Sequence, residues 1–355
     1  MQKIVVAMSG GVDSSVAAAL LVEQGFETIG VTLKLLARAE TGFGCCGSPV
    51  DVDDAKRVCE MLGIRHYTLD MAELFADKVI KRFIDDYLSG KTPNPCVECN
   101  RSLKFGHLLA VAQAWGAEAV ATGHYARVEE GRLLKAVDAA KDQTYFLYSL
   151  TPRERGRVRF PIGGLEKTRV REKAMALGLR TAEKDESQEI CFVPRRDYRG
   201  FLEEQRGASA PGLRPGPICD TEGREVGRHI GLAGYTVGQR KGLGAAASEP
   251  RYVIALEPES NTVVIGGADE VYSRAFMAEG VSWTAGALPE QPRTEVRIRH
   301  RHAPASAVLS FLDETRVRVV FDQPQRAVTP GQAAVFYRGD SVLGGGVIVR
   351  REEER

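Results

Sequence analysis

Lys3-Ile4-Val5-Val6-Ala7-Met8-Ser9-Gly10-Gly11-Val12-Asp13-Ser14-Ser15-Val16-Ala17-Ala18-Ala19 decides the fold. The apolar, β-branched run Lys3–Met8 reads as a strand, and Asp13–Glu23 as a helix that Gly25 can end. Between them, two glycines let the backbone turn tightly and approach a ligand closely. The hydroxyls of Ser9, Ser14 and Ser15 join the unpaired amides of the helix start, where those amides and the helix dipole favour an anion. A plain strand-to-helix turn, with Asp13 or Ser14 as N-cap, is the simpler reading of the same residues. The Gly-Lys-Ser/Thr ending of a Walker loop and the G-x-G-x-x-G of a dinucleotide fold are both absent.

Outward from this stretch, Thr28–Leu36, His66–Leu69 and Glu118–Thr122 read as strands, and Asp51–Leu62, Ala72–Leu88 and Ser102–Trp115 as helices. Strand-helix alternation with glycine-ended helices predicts an α/β fold: a parallel sheet covered on both faces. After Tyr125 the pattern changes, with a hairpin over Ala126–Val137 and a helix over Thr168–Leu177 closed by Gly178. From Pro211 onward, Gly and Pro punctuate short runs such as Tyr252–Leu256, Thr262–Ile265 and Val317–Phe321, the mark of small all-β modules. Boundaries near residues 205 and 275 divide the chain into 1–205, 206–275 and 276–355.

Across 355 residues, 48 basic and 47 acidic side chains give a net charge of +1, which argues against bulk polyanion affinity but allows local basic patches. The Arg153–Arg159 and Arg297–His302 stretches are such patches, either solvated or suited to phosphates. The longest apolar run, Val16–Val22, falls well short of the ~20 residues of a membrane span. A strand-like N-terminus without a signal-peptide pattern and an odd seven cysteines point to the reducing cytoplasm.

Two of those thiols lie in Thr92-Pro93-Asn94-Pro95-Cys96-Val97-Glu98-Cys99-Asn100, expected as a loop before the Ser102 helix, where Cys99 meets a dipole that favours thiolate. Cys191 follows in Asp185-Glu186-Ser187-Gln188-Glu189-Ile190-Cys191-Phe192. Amide synthesis needs no thiols, whereas sulfur transfer needs one to carry a persulfide and another to resolve it. Cys59 and Cys219 read as structural. Cys45-Cys46 reads as part of a solvated Gly-rich loop, with a place near the active site as the alternative. His124 follows Gly123 at a strand end, where ligands collect in open α/β sheets, and either contacts nucleotide or makes a local hydrogen bond.

Ser9-Gly10-Gly11-Val12-Asp13-Ser14 resembles the pyrophosphate loop of the PP-loop (adenine-nucleotide alpha-hydrolase) families, which split ATP into AMP and pyrophosphate while adenylating a carbonyl oxygen. Further segments narrow the likeness: Lys104-Phe105, Ala121-Thr122-Gly123-His124-Tyr125, the run Lys141–Tyr148, Ile190-Cys191-Phe192, Gly238–Gly244 and Thr329-Pro330-Gly331-Gln332. With these and Thr92–Pro95, the chain resembles the bacterial tRNA-specific 2-thiouridylases from its first strand to about Val349.

The resemblance implies an N-terminal PP-loop (Rossmann-like) domain, a small mainly-β central domain and a C-terminal β-barrel. It also implies replacement of O2 of the wobble uridine by sulfur, giving 2-thiouridine. Carried over, Cys99 is the nucleophile and Cys191 the persulfide carrier, joined after turnover in a transient disulfide. Ala7, Met8, Ser9, Gly10, Gly11, Val12, Asp13 and Ser14 wrap the ATP phosphates, and Leu33 and Gly123 line the nucleotide pocket. Asn94, Pro95 and Cys96 meet the target base, while Lys141, Asp142, Gln143, Arg299 and His300 contact tRNA. Mg²⁺ is expected with ATP, Asp13 being a candidate ligand. A sulfur-donor protein such as a cysteine desulfurase relay is the implied partner.

Some members carry Asp at the position of Cys96, and Gln188-Glu189 stands where many relatives have Thr-Gly. In an alternative route, Cys96, Cys99 and Cys191 hold an iron–sulfur cluster and no persulfide forms. An amide-forming PP-loop ligase and an RNA-binding redox sensor are the competing functional classes.

Overall fold

In the computed structural model, which describes residues 1–36, 47–184, 190–193, 197–243 and 249–352, the opening apolar run becomes strand β1 (Lys3–Ala7). Ile4, Val5 and Val6 are buried because both faces of the strand are covered. β1 pairs in parallel with β2 (Glu27–Lys34) on one side and β4 (Ala119–Thr122) on the other, in register Lys3–Glu27 and Ile4–Ala119. β3 (Arg65–Asp70) lies outside β2. Helix α1 (Val12–Glu23) buries Val16, Ala17 and Ala18 on one face of the sheet, alongside α2 (Pro49–Met61). Helical runs 72–88 and 95–114 cover the other face through Phe75, Phe83, Leu103 and Leu108. Chain order reverses between β1 and β4, so a crevice opens beyond their carboxyl ends.

Three local features depart from the sequence reading. The helix expected from Ser102 starts at Pro95: Asn94 is extended, as a residue before proline must be, and Pro95 occupies the first helical position, which needs no N–H. Cys96 and Cys99 therefore sit in a helix and not in a loop. Within that run Cys99–His107 is π-helical, as is Ala76–Ile80 in the preceding helix. A further helix, Tyr198–Arg206, was not expected. Asp197 caps it by accepting from Gly200 N at 2.8 Å, and Tyr198, Phe201 and Leu202 pack on the aromatic cluster around Phe83.

The hairpin after Tyr125 is β5 (Ala126–Glu129) and β6 (Arg132–Lys135), with a short β7 (Val158–Arg159) beyond it on β4. β8 (Gly216–Asp220), β9 (Glu225–His229), β10 (Tyr252–Glu257) and β11 (Thr262–Gly266) make the central sheet, ordered β10-β11-β8-β9 over Ile218, Val253, Val263 and Ile265. Six strands follow: β12 (Tyr272–Trp283), β13 (Arg293–Arg297), β14 (Ala305–Phe311), β15 (Val317–Arg326), β16 (Ala333–Arg338) and β17 (Ser341–Glu352). β12 pairs with both β15 and β17, closing an antiparallel barrel around Phe276, Trp283, Phe321 and Phe336.

The hairpin joins the barrel sheet and not the parallel one, through Leu134 opposite Ser341. Tyr145 strengthens that seam, its hydroxyl donating to Ala333 O at 2.8 Å from full burial. Among the described residues no helix is long and apolar enough to cross a membrane.

Candidate active site

At the carboxyl end of β1 the chain turns through Met8–Gly11 into α1. Ser9 N donates to Ser14 Oγ at 3.1 Å, and the Ser14 and Ser15 hydroxyls donate to Gly11 O at 3.1 and 2.8 Å. The hydroxyls thus lace the loop, while Gly11, as N-cap, offers no side chain to the first-turn amides. Those amides remain available to an anion. Gly10 has φ +72°, and a Cβ there would lie 2.7 Å from Asp51 Cα. Gly123 leaves room as well, since its Cβ would meet Ser14 N at 2.6 Å.

The resulting cavity, of about 310 Å³, is lined by Ala7, Met8, Ser9, Gly11, Val12, Asp13, Ser14, Leu33 and Gly123. Gly10, expected among the phosphate-binding residues, is not in that lining and packs instead against the backbone of Asp51. Lysines that sequence reasoning did not single out brace the cavity rim. Lys167 Nζ holds both carboxylate oxygens of Asp13 at 2.7 and 2.9 Å, and Tyr125 OH donates to Oδ1 at 2.9 Å. Lys184 Nζ ties Gly10 O to Asp51 and Asp54, at 3.1, 2.7 and 2.8 Å.

A second cavity, of about 690 Å³, abuts the first. The 95–114 helix supplies Pro95, Cys96, Cys99 and Lys104; the loop after the hairpin supplies Lys141, Asp142 and Gln143; the segment 190–193 supplies Cys191; and the barrel supplies Arg297 and His300. Cys96 is exposed, while Cys99 and Cys191 are half-buried. Phe192 fixes the position of Cys191: its buried ring meets Phe75 and Phe83 edge-on at 5.5 and 4.9 Å. Leu35, Lys104, His124 and Gln143 line both cavities and form the wall between them. His124 Nδ1 lies 2.7 Å from Thr122 Oγ1, and burial, reinforced by the charge of Lys104, holds the imidazole neutral, well below its usual range.

The loop residues are structural as well as cavity-lining. Asp142 is buried and accepts from Ala136 N, Thr144 N and Oγ1, and Arg297 Nη1 at 3.0 Å. His300 Nε2 contacts Asp142 O at 3.2 Å, its ring lies 4.5 Å from Phe146, and burial lowers its pKa. Gln143 Oε1 accepts from Tyr125 N. Arg297→Met is expected to destabilise the protein by about 3 kcal/mol, because it strips a buried carboxylate of its charged partner. The thermal midpoint checks this, and an unchanged midpoint would mean the pair does not hold the seam.

Two expected contacts are not brought to this cavity. Arg299 turns away, its Nη2 donating to Val237 O, Ala327 O and Thr329 Oγ1 at 3.0, 3.1 and 2.6 Å. β13 ends at Arg297, so strand alternation no longer places the next arginine on the same face. Asn94 lines a separate groove of about 550 Å³, between Arg101 and the Glu279 edge of the barrel. In the other basic stretch, Arg155 is buried and donates to Gly131 O and Leu150 O, so the stretch presents no single charged edge. Cys45, Cys46, Gln188, Glu189 and Gly244 lie outside the described residues.

Among the described residues no three His, Cys, Asp or Glu side chains are grouped to hold a metal ion. Asp13 and Asp51 are already engaged by Lys167 and Lys184. Cys96, Cys99 and Cys191 line the same cavity.

Family models match along the chain: a tRNA methyl transferase HUP domain over residues 2–195, a tRNA methyl transferase PRC-barrel domain over 200–267, and an aminomethyltransferase beta-barrel domain over 273–348. The tRNA-specific 2-thiouridylase MnmA of Carboxydothermus hydrogenoformans is 49% identical over 362 residues, covering 99% of this chain and 98% of that protein. Its counterpart in Heliobacterium modesticaldum is 51% identical over 359 residues, covering 98% and 93%. That of Geobacter metallireducens is 47% identical over 358 residues, covering 98% and 96%.

Proposed function

The chain belongs to the tRNA-specific 2-thiouridylase family, ATP-dependent enzymes that thiolate a tRNA uridine, and from that premise we propose that Cys191 carries the sulfur and Cys99 releases it. The observation that carries this reading is one cavity lined by both thiols, separated from the glycine-loop pocket only by a shared wall. The matched family models bear the words methyl transferase, but methylation gives paired thiols nothing to do.

The C2 oxygen of uracil is a poor leaving group. In the first step it attacks the α-phosphate of ATP; the bond to the β-phosphate breaks, and pyrophosphate leaves with the electron pair toward the helix-start amides behind Gly11. Leu33 and Gly123 border the nucleotide. Magnesium bound to the triphosphate would neutralise charge on its phosphates. In the second step the Cys99 thiolate attacks Cys191 Sγ of the persulfide and expels hydrosulfide, which adds to C2. The C2–O2 bond then breaks, AMP departs with that oxygen, and a Cys99–Cys191 disulfide remains for a thiol reductant to open. Direct attack by the terminal persulfide sulfur, followed by Cys99, gives the same products.

The target is the wobble uridine, since an unpaired anticodon base reaches a recessed pocket most readily. Pro95, Cys96 and Lys141, which line the thiol cavity, contact it in this reading. The persulfide comes from a sulfur-donor protein of the cysteine desulfurase class, in a reducing compartment such as the cytoplasm. Nucleoside mass spectrometry of unmodified tRNA incubated with the enzyme, ATP and a sulfur source tests the proposal. ATP-dependent 2-thiouridine at the wobble position is expected; ATP cleavage without it, or a methylated base, would overturn it.

A further inference from the structure

Among the described residues, the wall between the two cavities carries a single cationic side chain. Leu35 is apolar, Gln143 is neutral, and His124 is held uncharged; of the described residues lining both cavities, Lys104 is the one that brings a positive charge. Lys167 is committed to Asp13, Lys184 to Asp51 and Asp54, and Arg297 to Asp142, while Lys141 and Arg301 line the thiol cavity but not the glycine-loop cavity. Lys104 makes no hydrogen bond or ion pair among the described residues and is half-buried. A partly desolvated ammonium with no counter-charge among the described residues favours an anion that arrives with substrate. Its position follows from the helix. Cys99 and Lys104 stand five residues apart at the start of the π-helical Cys99–His107 segment, whose i to i+5 geometry turns both toward the same cavity.

We propose that Lys104 is a catalytic residue that grips the α-phosphate from the thiol side and stabilises it in both steps. This deepens the reading above and rests on it. As O2 of the uridine bonds to phosphorus and pyrophosphate leaves toward the glycine loop, charge concentrates on the non-bridging α-phosphate oxygens. The loop amides lie on the pyrophosphate side, so they are poorly placed for the face that the base approaches; Lys104 is on that face. When sulfur has added to C2 and the C2–O2 bond breaks, the electron pair passes to the departing AMP oxygen, and the same ammonium offsets the new charge. No proton leaves Lys104 in either step. A preorganised cation aimed at charge that develops during reaction lowers the barrier more than it strengthens ground-state binding.

The test isolates adenylation from sulfur chemistry. The full-length enzyme is given tRNA and ATP labelled at the α-phosphate, with no sulfur source, and label on the tRNA is followed. Affinity for a fluorescent ATP analogue and the thermal midpoint are measured in parallel. Lys104→Met is expected to slow label transfer at saturating ATP by about 100-fold or more, while nucleotide affinity changes by less than about ten-fold. Lys104→Arg, which keeps the charge, is expected to recover about ten-fold of the loss. Lys104→Met within about three-fold of the unaltered enzyme would overturn the assignment, as would a loss of affinity that accounts for the whole loss of rate. An unaltered enzyme that thiolates tRNA yet never labels it would instead sink adenylation itself, and the role of Lys104 with it.

Discussion

Serine at either Cys99 or Cys191 is expected to reduce tRNA thiolation by about 1,000-fold or more, because a serine hydroxyl neither accepts a sulfane sulfur nor forms a disulfide at neutral pH. The two variants should fail differently. Cys191→Ser takes up no sulfur from the donor. Cys99→Ser loads a persulfide on Cys191 and then stalls, so it accumulates sulfane sulfur that cyanolysis or intact-protein mass spectrometry detects. This asymmetry separates a carrier from a resolving thiol, which loss of activity alone does not. Full thiolation by either variant would remove the two-thiol route. An amide-forming ligase on the same glycine loop would leave both variants active.

Alanine at Gly10 is expected to weaken ATP binding by about 100-fold, close to 3 kcal/mol. Two costs combine there. The backbone sits at φ +72°, which a side chain disfavours by roughly 1–2 kcal/mol. The new methyl would also run into the backbone of Asp51, with Asp51 Cα 2.7 Å away, and backbone inside a helix cannot rotate aside. Relief must come from the loop itself, which moves Ser9 and Gly11 away from the phosphate site. Gly25→Ala supplies the control: Gly25 has φ +81°, yet a Cβ there meets nothing within 4 Å. It should lower stability modestly and leave ATP affinity alone. Equal effects on affinity from the two substitutions would mean that strain, and not the Asp51 contact, governs the loop.

The glycine loop was legible because everything that shapes it lies within one strand, one turn and one helix start. The parallel sheet followed for the same reason: Val5, Ile29 and Val120 stand in short apolar runs broken by glycine-ended helices. What escaped is long-range. Strand periodicity marks β5 and β6 as a hairpin but says nothing about their neighbour, and the pairing of Leu134 with Ser341 spans most of the chain. The Tyr198–Arg206 helix carries Tyr198, Phe201 and Leu202 at helical spacing behind a capping Asp197, but Gly200 and a charged outer face masked the pattern.

At the site, resemblance supplied the pairing of Cys99 with Cys191, which no local spacing contains. The structure adds the reason they share a cavity: Phe192 locks into the aromatic cluster beneath the helical runs that carry Phe75 and Phe83. Arg297 and Arg299 show the limit of strand alternation. The strand stops between them, and one arginine faces the cavity while the other braces the central module against the barrel. Lys104 stood in a quoted motif without a role, since only the folded helix reveals that it borders two cavities.

Non-reducing peptide mapping after a single turnover tests the paired-thiol account most directly. Enzyme loaded once with sulfane sulfur is mixed with ATP and unmodified tRNA, quenched with an alkylating agent and digested. A peptide pair joined through Cys99 and Cys191, in amounts matching the 2-thiouridine formed, is the expected product. Thiolated tRNA alongside two alkylated thiols, or enzyme whose activity tracks bound iron, would contradict it.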